Sequence, residues 1–217
     1  MTDRPVRPAD RERIAAAFRE SAALFATLAE AMSEPVACAA DLLHDALAAG
    51  GTLLCCGNGG SAADAQHITA ELGGKFYRKR PGLPAVALTV NSSMLTAIGN
   101  DFAYDEIFSR QVEALGRPGD LLLAITTSGN SPNVVEAARA ARALGMTVIG
   151  LTGASGGALA PHCDCLLAVP ATDTPRIQEG HIAIGHLLCE LVEARLFPPG
   201  STAGRPGVPP AGGSTPR

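Results

Sequence analysis

Apolar residues recur at helical spacing through the first fifty positions, and the pattern then breaks into short apolar runs separated by polar, glycine-marked segments. The periodicity predicts an amphipathic helix over 11–32, with Ile14, Phe18, Ala22, Phe25 and Leu28 on one side. A second helix is predicted from about Pro35 to Ala49, closed by Gly50 and Gly51. Beyond it, strands are expected at Thr52–Cys56, Ala85–Val90, Leu121–Thr126, Thr147–Leu151 and Cys165–Val169. Helices are expected to begin near Ser61, Ser92, Tyr104, Ser131 and Pro175. Leu121–Ile125 and Val148–Leu151 are unbroken apolar runs, as in strands covered on both faces of a parallel sheet. The alternation predicts an α/β sandwich with a doubly wound sheet of about five parallel strands. In such folds ligands bind beyond the carboxyl ends of the strands.

The bulk numbers fit that picture. The 217 residues are 47% hydrophobic and 18% charged, enough for one sizeable core. Residues 1–197 read as a single domain, and the Pro/Gly-rich stretch 198–217 reads as a disordered tail that cannot offset its ordering entropy by burial. The net charge of −4 argues against a general nucleic-acid binder. No apolar run approaches the roughly 20 residues of a membrane span, and the charged N-terminus lacks the apolar stretch of a signal peptide. The six cysteines sit mostly in apolar surroundings and read as reduced, which suits a cytoplasmic protein. Cys55 and Cys56 should point to opposite faces of their strand. His162-Cys163-Asp164-Cys165 is spaced too tightly for a usual zinc knuckle.

Candidate chemistry collects at three places. The first is Gly57-Asn58-Gly59-Gly60-Ser61, a glycine-rich turn from strand to helix. It is neither a GxGxxG fingerprint nor a GxxxxGK[ST] phosphate loop. Ser61 with Asp64 has the form of a capping box. On the same predicted helix His67 and Glu71 share a face. They read as a surface ion pair, as two metal ligands, or as a base beside its partner. The second place is Thr126-Thr127-Ser128-Gly129-Asn130-Ser131 before Pro132, where hydroxyls at a helix start form either a polar turn or a neutral anion cradle. The third is the apolar helix after Asp173, with Gln178, His181 and His186. Gln178 and His186 lie about 12 Å apart along an ideal helix, so both serve one ligand only across two subunits or with an irregular helix start. Asn100 and Asp101 are expected in a loop after a helix over 92–99. They would hold a sugar hydroxyl or merely cap the next turn. Lys75, Arg78, Lys79 and Arg80 read as a solvated loop or as an attractor of anionic substrate.

Taken together, CGNGGSAADAQHITAEL, RPGLPAVAL, GNDFAYDEIFSRQVEALG, GDLLLAITTSGNSPNV, LTGASGG and RIQEGHIAIGHLLCELVE resemble the sugar isomerase (SIS) domain family over about residues 10–197. Within it they resemble the bacterial enzymes that act on sedoheptulose 7-phosphate. The resemblance implies a three-layer α/β/α sandwich behind N-terminal helices. It also implies conversion of D-sedoheptulose 7-phosphate to D-glycero-D-manno-heptopyranose 7-phosphate through an enediol, the first step toward nucleotide-activated heptose. Carried over position by position, it implies substrate contacts at Asn58, Gly59, Gly60, Ser61, Glu71, Asn100, Asp101, Thr126, Thr127, Ser128, Ser131 and Gln178. It further implies one zinc ion per subunit on His67, Glu71, Gln178 and His186, with Glu71 as base and His186 as acid, and a homotetramer with sites at subunit interfaces. Some members carry an acidic residue where this chain has Pro175, so no role transfers there. A non-enzymatic relative that binds the bacterial replication initiator shares much of the pattern but lacks counterparts of Glu71 and His186. Sugar-phosphate-sensing regulators are a further rival; this chain shows no attached DNA-binding segment.

Overall fold

A computed structural model describes residues 7–199, so the expected disordered tail lies almost wholly outside the described residues. Five parallel strands, β1 (Leu53–Gly57), β2 (Ala85–Ala87), β3 (Leu121–Ile125), β4 (Thr147–Gly153) and β5 (Cys165–Val169), form one sheet in the order β2-β1-β3-β4-β5. The helices are α1 (Pro8–Ala31), α2 (Ser33–Ala48), α3 (Gly60–Gly73), α4 (Ser92–Asp101), α5 (Ser109–Leu115), α6 (Pro132–Ala143) and α7 (Thr174–Leu196), with short 3-10 turns at Tyr104–Glu106 and Gly157–His162.

Period-two alternation divides the core between two faces. Leu53, Cys55, Leu121 and Leu123 pack under α1, α2, α3 and α7. Their neighbours Leu54, Cys56, Leu122 and Ala124 pack under α5 and α6. Cys55 and Cys56 thus face opposite layers, as their adjacency required, and all six cysteines are free thiols. Asp120 aligns the strand starts by accepting the Thr52 N–H at 2.7 Å and the Arg117 N–H at 2.9 Å. Asp164 is likewise engaged: it accepts the Val148 N–H at 2.8 Å and pairs with Arg142.

Several local expectations need correction. α1 forms where predicted, but of the five residues on its apolar side only Leu28 is buried within this chain, and Leu24 joins it. Phe18 is 72% exposed and Ile14 56% exposed, because α7 and α2 cover only part of the helix. β2 ends at Ala87 rather than Val90, and α4 runs through Asn100 and Asp101, which are not in a loop. The predicted capping box does not form. Gly59, at φ +56°, occupies the cap position and Ser61 lies inside the first turn, so Asp64 is not a capping partner. Asp173 takes the cap position of α7, which begins at Thr174, one residue before the expected Pro175. The basic run is solvated only in part: Lys75 and Lys79 are exposed, whereas the Arg80 side chain is 2% exposed.

α7 is held by its first turn. Ile177 packs beneath Gly153, whose added Cβ would meet it at 2.7 Å. Arg176 donates to the Ala17 carbonyl at 3.1 Å and pairs with Glu179 at 3.0 Å, and Ser21 donates to Glu179 at 2.8 Å, which ties α1 to α7. Further along, His181 is fully buried with its Nε2 3.0 Å from the Thr152 carbonyl oxygen. Burial lowers its pKa from 6.5 to about 4, against the opposing pull of that hydrogen bond. The unfolded chain therefore binds a proton that the folded chain refuses. The stability tied to this histidine is present above pH 6.5 and is lost as pH falls toward 4, by about 3 kcal/mol in all. An NMR titration should find the His181 ring neutral down to about pH 4. A His181 midpoint near its ordinary value would refute this.

Candidate active site

The strand order reverses between β1 and β3, which opens a crevice at their carboxyl ends. Both polar loops reach this crevice. Gly57 is needed at the end of β1 because an added Cβ would lie 2.8 Å from Ser61. Asn58 then crosses to the second loop through a reciprocal amide pair. Its Nδ2 donates to Asn133 Oδ1 at 2.8 Å, and Asn133 Nδ2 donates back at 2.9 Å. The Tyr104 hydroxyl also donates to Asn58, at 3.2 Å. A cavity of about 400 Å³ beside the first loop is lined by Asn58, Gly59, Thr89, Thr96 and Tyr104. Asn100 and Asp101 sit exposed at the end of α4, bonded to each other at 2.7 Å, and do not line it.

The second loop gathers its hydroxyls around Thr126. Thr126 Oγ1 lies 2.9 Å from Ser131 Oγ and 3.4 Å from Ser128 Oγ. Ser131 occupies the cap position of α6 without bonding its backbone, so its hydroxyl points into the loop instead. Thr127 braces the loop through its carbonyl, which accepts the Gly153 N–H at 2.9 Å. The positive end of α6 adds to this donor set, which suits a phosphate without a lysine. Gln178 joins this end of the site: its amide packs on Gly60 so closely that a Cβ there would meet Nε2 at 2.3 Å. Ser61, nearly buried, begins α3 alongside.

His67, Glu71 and His186 form a separate cluster farther along α3. Glu71 Oε1 lies 3.2 Å from His67 Nε2 and 3.5 Å from His186 Nε2. The two imidazole rings meet edge to face at 5.1 Å. Each residue offers a ligand atom within 4.8 Å of the others. Glu71 Oε2 and His186 Nε2 are buried without a hydrogen-bond partner. Buried orphan donors and acceptors are costly unless something satisfies them. Two imidazole nitrogens and a carboxylate fit a divalent metal of the zinc type. Asp64 faces the same cluster: burial raises its pKa and the charges of His67 and His186 oppose that rise. α7 is continuous from Thr174 to Leu196, so an irregular helix start does not bring Gln178 to the trio.

Asn133 and Tyr104 were not apparent from the sequence, since Asn133 looks like an ordinary first-turn residue. Asp64 lies one turn before His67 on the side of α3 that helical spacing gives it, although it does not cap. Gly129 also carries a signature only in three dimensions. It sits at φ +70°, and a Cβ there would lie 2.2 Å from the Gly156 carbonyl oxygen. Gly129→Ala should therefore cost about 2 kcal/mol or more in urea denaturation. A variant as stable as the parent would contradict the loop geometry.

The comparisons with known proteins agree with this arrangement. The SIS domain family model matches residues 18–153. The phosphoheptose isomerase of Rhodospirillum rubrum is 59% identical over 161 residues, covering 74% of this chain and 86% of that protein. The solved phosphoheptose isomerase of Neisseria gonorrhoeae is 49% identical with a TM-score of 0.81, covering 85% of this chain and 98% of that one. That of Francisella tularensis is 42% identical with a TM-score of 0.82, covering 84% and 97% respectively. The chain belongs to the SIS domain family, in its phosphoheptose isomerase branch.

Proposed function

We propose that this chain isomerises D-sedoheptulose 7-phosphate to D-glycero-D-manno-heptopyranose 7-phosphate, an aldose–ketose exchange at the head of heptose biosynthesis. The observation that carries this reading is the meeting of Glu71 on α3 with His186 on α7, in a chain 59% identical to a phosphoheptose isomerase. Glu71 moves a proton between C1 and C2, and His186 exchanges protons on the two sugar oxygens. Glu71 Oε1 faces both histidines while Oε2 is left without a partner, so one oxygen remains for the proton. His67, Glu71 and His186 would hold the metal, for which we propose zinc, one per subunit. When bound it supplies Lewis-acid stabilisation to a developing oxyanion. Ser61, Thr126, Thr127, Ser128 and Ser131 hold the phosphate, while Asn58, Gly59 and Gly60 let the chain approach it closely. Asn100 and Asp101 are proposed sugar contacts only if α4 shifts toward the cavity. The initiator-binding reading is disfavoured, since Glu71 and His186 are both present and in contact.

Helix geometry adds a requirement. Glu71 lies eleven residues beyond Gly60, roughly 16 Å along α3, whereas the cradle lies at the helix start. One open-chain heptose phosphate does not bridge that span within one subunit. This supports a composite site, with the cradle and Gln178 from one subunit and His67, Glu71 and His186 from another. Gln178 would complete the ligand set across the same interface. The exposed apolar stripe on α1 and a groove of about 470 Å³ lined by Phe25, Met32, Val36, Ile184 and Leu187 support burial against further copies, in a homotetramer. We place the protein, a single SIS domain over 1–197, in the cytoplasm. No helix among the described residues is long and apolar enough to cross a membrane, and its thiols are free.

Glu71→Gln should lower turnover of sedoheptulose 7-phosphate by at least about a thousandfold while leaving substrate binding largely intact. Full activity in that variant would remove Glu71 as the base. Mixing subunits tests the composite site separately. Inactive Glu71→Gln chains refolded with inactive Ser131→Ala, Thr127→Ala chains should recover activity, because some interfaces then pair an intact cradle with an intact Glu71. Mixtures as inactive as their parents would place the whole site within one chain.

A further inference from the structure

One buried ion pair lies behind the reacting residues and has no part in the chemistry so far described. Glu193 follows His186 by seven residues on α7, which puts both on one side of the helix. Its side chain and that of Arg80 are each only 2% exposed. Glu193 Oε1 accepts the backbone N–H groups of Tyr77 at 2.7 Å and Arg78 at 2.8 Å. Oε2 accepts the Phe76 N–H at 2.9 Å and Arg80 Nε at 2.9 Å. The rest of the Arg80 fork is turned on the end of α3. Nη2 donates to the Glu71 carbonyl at 2.9 Å, and Nη1 donates to the Leu72 carbonyl at 2.5 Å and the Gly74 carbonyl at 3.3 Å. The Phe76 ring, placed by its bonded N–H, stands 6.0 Å from the His186 imidazole.

A buried ion pair is weak evidence of a stability role, because apolar side chains of similar volume often stabilise as well. Directional bonds to chosen atoms are what such side chains cannot supply. Here those bonds end on the backbone of Glu71 and on the loop that carries the aromatic neighbour of His186. We propose that Arg80 and Glu193 form a positioning clamp that sets Glu71 and His186 in register, with Phe76 as its contact to the imidazole. The pair touches neither substrate nor metal and acts through the two residues it holds. Burial raises the Glu193 carboxyl, but the three backbone donors and Arg80 outweigh it and hold the group below its ordinary value, so the pair is ionised at neutral pH.

The kinetic arm of the test rests on the isomerase reading; the spectroscopic arm does not. Arg80→Lys keeps the charge and loses the fork, Glu193→Gln keeps the shape and loses the charge, and Phe76→Leu leaves the ion pair untouched. In the full chain, assayed well below each melting temperature, all three should lower kcat at least about tenfold with KM within about twofold, since the phosphate cradle is unaltered. Their NMR spectra should show the ring resonances of His67 and His186 displaced while those of His44 and His162 stay in place. A pair that only stabilises the fold would lower the melting temperature and leave kcat and the His67 and His186 resonances as in the parent, and that result overturns the proposal. Phe76→Leu decides the matter should the charged-pair variants not fold. If the parent protein fails to turn over the heptose phosphate, the isomerase reading falls, and the histidine resonances still judge the clamp.

Discussion

The close packing of α7 on α3 is the contact on which the site depends. Gly185 permits it: a Cβ at that position would lie 2.7 Å from the Ile68 side chain, so a larger residue would have to displace Ile68 or the helix itself. The next residue is His186 and the facing turn carries His67 and Glu71, so the helix spacing is also the spacing of His186 from Glu71. Farther along, Cys189 lies 3.8 Å from the Ile68 carbonyl, and burial with the neighbouring Glu71 keeps its thiol protonated. Beyond that, Arg80 and Glu193 close the far end of the interface. A small residue, a buried thiol and an ion pair thus grade a single helix–helix contact from close approach to polar anchorage.

Sheet topology accounts for the other half of the chemistry. Reversal of strand order between β1 and β3 lays two loops side by side, and the Asn58–Asn133 amide pair fixes one against the other. The hydroxyl-bearing loops therefore lie at loops and helix starts on the carboxyl edge of the sheet, while the His67–Glu71–His186 cluster lies where the second half of α3 meets α7. Gly60 and Glu71 stand roughly 16 Å apart along α3, and that separation is the ground for the composite site we propose. The apolar stripe of α1, unaccounted for within a single chain, has the character of surface that copies would cover.

Much of this was legible in the sequence because it rests on local pattern. The unbroken apolar runs at Leu121–Ile125 and Val148–Leu151 read as doubly covered strands, and both polar loops read as strand-to-helix turns. Glu71 and His67 were visible through their four-residue spacing. What stayed hidden depends on distant partners. Arg80 and Glu193 are 113 residues apart, and a basic run gives no sign of being buried. Asn58 and Asn133 are 75 residues apart. Asp64 was misread because Ser61 and Asp64 have cap spacing, whereas Gly59 takes the cap position with a backbone that serine would not readily adopt. The apolar side of α1 is legible but its burial is not, because amphipathicity marks an apolar stripe without saying what covers it.

The central claim is that Glu71 carries a proton between adjacent carbons while His186 serves the oxygens. It is tested most directly by running the isomerisation in deuterium oxide and following hydrogen at the reacting carbons by NMR. A carboxylate base that exchanges with solvent should leave deuterium at C2 of the aldoheptose phosphate and wash hydrogen out of C1 of the recovered ketose, and replacing Glu71 by glutamine should abolish both. Turnover and exchange at C1 that persist when Glu71 is replaced would contradict the account.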